Sequence, residues 1–137
     1  MKNEIIIDNI KFWINQNIIY CKIDNDFKSD SIGVELEEIF SNAIQALSKG
    51  KYKPILINMT DVNFLLSIKL FRYLSNNVLI KTLVLSKTFL VNSFGLKILL
   101  FIYSLTTDPI VPNKVFKYNS LAIKHCNKKY MEFNVIG

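Results

Sequence analysis

Pro54-Ile55-Leu56-Ile57-Asn58-Met59 decides how the rest of the chain is read. Ile55, Leu56 and Ile57 follow one another without alternation. A strand with one wet face alternates, so an unbroken apolar run of strand length predicts a strand covered on both faces. Such a strand belongs in a layered α/β domain. Just upstream, Lys49-Gly50-Lys51 supplies a cation and a C′ glycine, the chemistry of a helix end. The helix it closes is predicted over 31–48, where Ile32, Leu36, Ile39, Phe40, Ala43, Ile44 and Leu47 recur at three and four. Glu35, Glu37 and Glu38 sit in its early turns, where negative charge suits the helix dipole. Asp26, Ser29, Asp30 and Ser31 mark the loop and the helix start. Farther upstream, Ile10, Phe12 and Ile14 alternate with Lys11 and Trp13. Asn15-Gln16-Asn17 makes a turn, and Ile18 to Ile23 is a second β-rich run, so the pair reads as a hairpin.

Downstream, Thr60-Asp61-Val62-Asn63 is a loop and Ser67 is the predicted N-cap of a short helix carrying Ile68, Leu70, Phe71 and Leu74. Asn76-Asn77 closes it. Lys81 to Leu85 reads as a third buried strand, and residues 89–105 as a helix. Thr107, Asp108, Pro109 and Pro112 form a long turn, with a short strand over Lys114–Lys117. Asn119 or Ser120 caps a last helix to about Met131. The expected order is β-β-α-β-α-β-α-β-α. That is an α/β fold: a mixed sheet with an N-terminal antiparallel hairpin, helices packed on it, and parallel strands from 54 onward joined by right-handed crossovers.

The chain has 137 residues, half of them hydrophobic, and a mean hydropathy of +0.25. One domain is expected over 1–137. So much apolar surface excludes a disordered chain. Four Gly, three Pro and two Cys exclude collagen and disulfide miniproteins. Ile5-Ile6-Ile7, closed by Asp8, is too short for a secretory core. The longest apolar run, Ile98 to Tyr103, is too short to span a bilayer. Cys21 and Cys126 are expected as two buried free thiols, and the location as cytoplasmic.

The net charge of +6 is unevenly spread: residues 1–48 carry four lysines against eight acids, and the rest is strongly basic. Such a dipole can steer an acidic partner or the opposite end of another copy. Nucleic acid is not expected. Lys69, Arg72, Lys81, Lys87 and Lys97 stand singly, the chain has one arginine, and no run sets aromatics beside basic residues on a strand. These cations read as solvated.

Three segments carry a family resemblance: Ile10-Lys11-Phe12-Trp13-Ile14 with Ile18-Ile19-Tyr20-Cys21; Pro54 to Asn58 through Asp61-Val62; and Pro112-Asn113-Lys114-Val115-Phe116 followed by Ala122. Together with the element order they resemble the STAS-like fold of bacterial anti-sigma factor antagonists. The match is closer to a family of small uncharacterised bacterial STAS-like proteins related to lipid-transfer (CRAL-TRIO-type) domains. The resemblance implies a fold more firmly than an activity. In the antagonists an Asp-Ser-Ser-Gly loop precedes the second helix, and its second serine accepts phosphate. Here Leu66 stands at the aspartate position and Ile68 at the phosphoacceptor position. Isoleucine has no hydroxyl, so that charge switch is unavailable there.

No reactive centre assembles from the sequence. His125 beside Cys126 points away from it on a helix, and the only acid near it in sequence, Glu132, is two turns on. In the resembling family this part of the helix packs with large apolar residues, so the resemblance implies a packing role. One His and two distant Cys fall short of a zinc site. Asp24 and Asp26 lack the glycine and distal glutamate of an EF-hand loop. Asp61, Asn63 and Ser67 form a candidate loop and helix-start site, because α/β proteins place ligands past the carboxyl ends of strands. No enzyme activity, cofactor or metal is expected.

Residues 94–105 are the most informative for function. As a helix, the run from Ile98 to Tyr103 is apolar all round, whereas a helix packed on one side keeps a polar face. Either a neighbouring segment such as Pro109–Pro112 covers the surplus, or a partner does. Phe94, Ile98, Leu99, Phe101, Ile102 and Leu105 are the candidate interface. The expectation is a non-enzymatic regulatory or protein-interaction module, a homodimer through this helix, with carriage of a lipid or other apolar ligand as the alternative.

Overall fold

The structure, a computed structural model, describes residues 3–105 and 113–136. Six strands form one sheet in sequence order: β1 (Glu4–Ile7), β2 (Ile10–Asn15), β3 (Ile18–Ile23), β4 (Ile55–Asn58), β5 (Lys87–Leu90) and β6 (Asn113–Phe116). β1, β2 and β3 pair antiparallel; β3 to β6 pair parallel. The helices are α1 (Val34–Ser48), α2 (Phe64–Asn76), the single turn α3 (Val78–Lys81), α4 (Phe94–Ser104) and α5 (Asn119–Ile136). The α/β class and mixed sheet are as expected, with one strand more: β1 adds to the hairpin.

The unbroken apolar run of β4 is explained by two buried faces. On one, Ile55 and Ile57 join a core with Ile19, Cys21 and Phe89 from neighbouring strands, Phe40 and Ile44 of α1, Phe71 of α2, and Leu96 and Leu100 of α4. On the other, Leu56 packs with Ile18, Leu90 and the α5 residues Ala122 and Cys126. Strands laid down in sequence by crossovers of one hand keep α1, α2 and α4 on one side. Among the described elements, α5, after the last strand, covers the other. The edge-to-face pairs Phe12–Phe40, at 5.0 Å, and Phe71–Phe89, at 4.7 Å, tie helices to strands.

Several local expectations are corrected. α1 begins at Val34, not residue 31: Ser29–Ser31 is a separate 3-10 turn, and Gly33 follows with φ 147°, a backbone that suits glycine. At its other end Lys49, ahead of Gly50, is already left-handed at φ 52°. The strand expected over Lys81–Leu85 lies instead at Lys87–Leu90, and Val78–Lys81 is helical. Asn77 causes that shift. Its Oδ1 accepts from the Ile80 amide at 2.8 Å, and its amide donates to Glu37 at 2.7 Å, so a new turn starts where a strand approach was expected. Consequently the helix expected over 89–105 begins only at Phe94. The turn expected over Thr107–Pro112, with the cover that Pro109–Pro112 would give α4, lies outside the described residues.

Lys87 is not solvated. It is 1 % exposed, and its Nζ donates to the Leu74 and Ser75 carbonyls at 3.2 and 2.8 Å. These are end carbonyls of α2, where the helix dipole is negative. Asn113 Nδ2 also donates to Ser75 O, at 3.4 Å. The buried ammonium is therefore a C-terminal cap joining β5 to α2.

Candidate interaction face on α4

α4 starts where Ser93 accepts a hydrogen bond from the Leu96 amide, at 3.1 Å. Leu96 and Leu100 then turn into the core, and Tyr103 packs against its margin. That places Phe94, Ile98, Phe101, Ile102 and Leu105 on the water side, with exposures of 64, 43, 50, 53 and 68 %. Leu99 is half-buried between the two sides. The expected interface residues are therefore outward except for Leu99. Phe94, Ile98, Phe101 and Leu105 recur at four, three and four residues, the spacing of one helical stripe. α4 thus has two apolar sides, and the sheet takes only one.

α2 lies beside α4, where the Arg72 guanidinium sits 5.2 Å from the centre of the Tyr103 ring. Its own water side is Leu65, Lys69, Arg72 and Asn76, and Phe64 is exposed at its first turn. No acid occurs anywhere in the chain between Asp61 and Asp108.

The structure does not assemble Asp61, Asn63 and Ser67 into a site. Asn63, not Ser67, caps α2, accepting from the Leu66 amide at 2.9 Å. Ser67 lies a turn later, fully buried, donating to the Val62 carbonyl at 3.3 Å. The earlier of two good caps wins because it lets the helix begin a turn sooner. Asp61 pairs with Lys22 at 3.2 Å. The hollow beside it, about 320 Å3, has Asp8, Lys11, Lys22 and Asp24 among its lining.

Strand pairing also creates a grouping that a linear reading misses. Trp13 opposes Tyr20 and Lys11 opposes Lys22 on the outer face of β2 and β3. Aromatics and lysines do stand together here, contrary to expectation. They are engaged with their own chain, however. The rings stack at 5.3 Å, Lys11 covers Trp13 and pairs with Glu4 at 3.1 Å, and Lys22 pairs with Asp61. Opposite charges so close leave little field for a phosphate backbone. The alternation Lys11-Phe12-Trp13 against Tyr20-Cys21-Lys22 was the signal.

Cys21 and Cys126 are free, buried, and on opposite faces of the sheet. Burial pushes both thiols up, Cys126 to about 11. Neither is a nucleophile at neutral pH. A thiol-exchange dye should label neither in the native protein and both after denaturation; rapid native labelling would contradict these positions.

His125 packs on the Phe116 ring, with centroids 5.5 Å apart, and Nε2 has no hydrogen-bond partner among the described residues. Burial lowers its pKa below 6.5, helped by Lys129, Lys114 and Lys128 and opposed by Glu132. As pH falls through 6.5 the unfolded chain protonates first, so stability should drop until the folded imidazole also protonates. Above that range this side chain adds no slope. Urea titrations across pH should show the loss, and His125→Gln should flatten it. An unchanged slope in the variant would refute the assignment.

Among the described residues no group of three His, Cys, Asp or Glu could hold a metal, and no helix is long and apolar enough to cross a membrane. The chain matches no protein-family model, and no curated protein is similar enough to count as a relative.

Proposed function

We propose that this chain is a non-enzymatic interaction module of STAS-like type, working by contact through the outer side of α4. The observation that carries the reading is that the water side of α4 is wholly apolar while its core side is already satisfied by Leu96 and Leu100. At about 25 cal/mol per Å2, covering several large side chains supplies several kcal/mol to an association. The fold order and the hairpin support the STAS-like part. Ile68 bears on phosphate control neither way, because α2 begins at Phe64 and Ile68 lies in its second turn rather than in the loop before it. Apolar-ligand carriage has less support, because the hollow beside Asp61 sets Asp8, Lys11, Lys22 and Asp24 beside Ile6 and Ile10 rather than offering an apolar pocket.

Light scattering after size exclusion tests the simplest assembly. A particle of about twice 15.9 kDa that returns to 15.9 kDa in Phe101→Glu marks a homodimer through α4. A monomer leaves the face for another protein. An association of the parent chain that survives Ile98→Glu/Phe101→Glu in full would remove the reading.

A further inference from the structure

We infer that the occupant of the α4 face is an amphipathic helix of another protein, apolar along one stripe and flanked by Asp and Glu. The inference rests on the interaction reading above and adds the partner's chemistry. The shape argument is the stripe Phe94, Ile98, Phe101, Leu105, whose spacing is that of residues that seat a second helix. On α2, Phe64 and Leu65 are exposed as well.

The charge argument selects the flanks. Lys69 and Arg72 are exposed on α2, along one side of the stripe, where Arg72 reaches Tyr103. Lys97 lies on α4 itself, on the flank away from Tyr103. Val62 to Leu105 itself contains no acid. Both rims are cationic, so a closed two-fold contact between copies would bring like charge against like charge, which opposes docking. A helix with acidic flanks meets the same rims with opposite charge.

The probe is a synthetic labelled helix with Leu on one stripe and Glu beside it, and a twin with Lys in place of Glu, titrated with the full chain by fluorescence anisotropy. The Glu helix should bind about tenfold tighter than the twin, and that margin should shrink at about 0.5 M salt, as expected for a few exposed ion pairs. Arg72→Glu/Lys97→Glu should invert the preference, and Phe101→Glu should abolish binding of both helices. Equal binding of both, lost with Phe101→Glu, would overturn the acidic partner while leaving the α4 contact standing. No binding of either, with association of the parent unaffected by Phe101→Glu, would overturn both. Two further results would overturn the acidic helix alone: a stable homodimer that tightens with salt, and capture of the chain through Phe101 by phosphatidylcholine–phosphatidylglycerol vesicles that the Glu helix does not relieve.

Discussion

Leu100→Glu is expected to leave no cooperatively folded protein, while Phe101→Glu, one residue along, folds as the parent does. Leu100 is fully buried in the core shared by α4 and the sheet, and Phe101 is half exposed on the opposite side. Removing a buried leucine costs about 2–5 kcal/mol, before the carboxylate is considered. An ionised carboxylate with no partner adds several kcal/mol more, and protonating it instead shifts that cost to its pKa. The sum reaches the whole stability of an ordinary domain, about 5–15 kcal/mol. Phe101→Glu replaces exposed apolar surface with charge and should change stability by less than about 1 kcal/mol. Near-UV circular dichroism and a denaturant titration read both. A folded Leu100→Glu beside an unfolded Phe101→Glu would mean that α4 is rotated by about 100°, one residue step, and the proposed face would be core.

Lys87→Met is expected to destabilise the chain by about 2–4 kcal/mol, although it makes the site less polar. The methionine fills most of the volume, so the cost is not a cavity. It comes from the Leu74 and Ser75 carbonyls, which lose the buried ammonium that caps them. Asn113 still donates to Ser75 O, which keeps the loss below that of two orphaned acceptors. The buried charge itself carries a desolvation cost that the variant escapes, and this sets the lower bound. Urea unfolding measures it. A Lys87→Met chain as stable as the parent would show that the ammonium's desolvation cancels its hydrogen bonds.

Elements whose pattern is local were legible. β2 and β3 alternate and are separated by a polar turn; α1 repeats at three and four; β4 is apolar throughout. β5 was not legible because Lys87 and Thr88 are polar residues in a buried strand, while the apolar Leu83-Val84-Leu85 beside them is not strand. Propensity pointed to the apolar run, and tertiary pairing chose the other. The α2 cap was misplaced because Asn63 and Ser67 are both good caps, and the earlier one lets the helix begin a turn sooner.

The candidate face was half legible. Six consecutive apolar residues in a helix show that some must point outward, but they do not show which. The amino-acid sequence by itself determined the charge asymmetry, and it determined the hairpin, α1, β4 and the surplus of apolar side chains on α4, because each of these last depends on residues a few positions apart. The tertiary structure alone decided that Leu96 and Leu100 face the sheet and Phe94, Ile98, Phe101 and Leu105 face water, and that Lys87 is inside. An all-apolar helix carries no inward mark of its own. Its orientation is set by the strands it crosses, and a lysine's burial by the helix end that happens to lie above it.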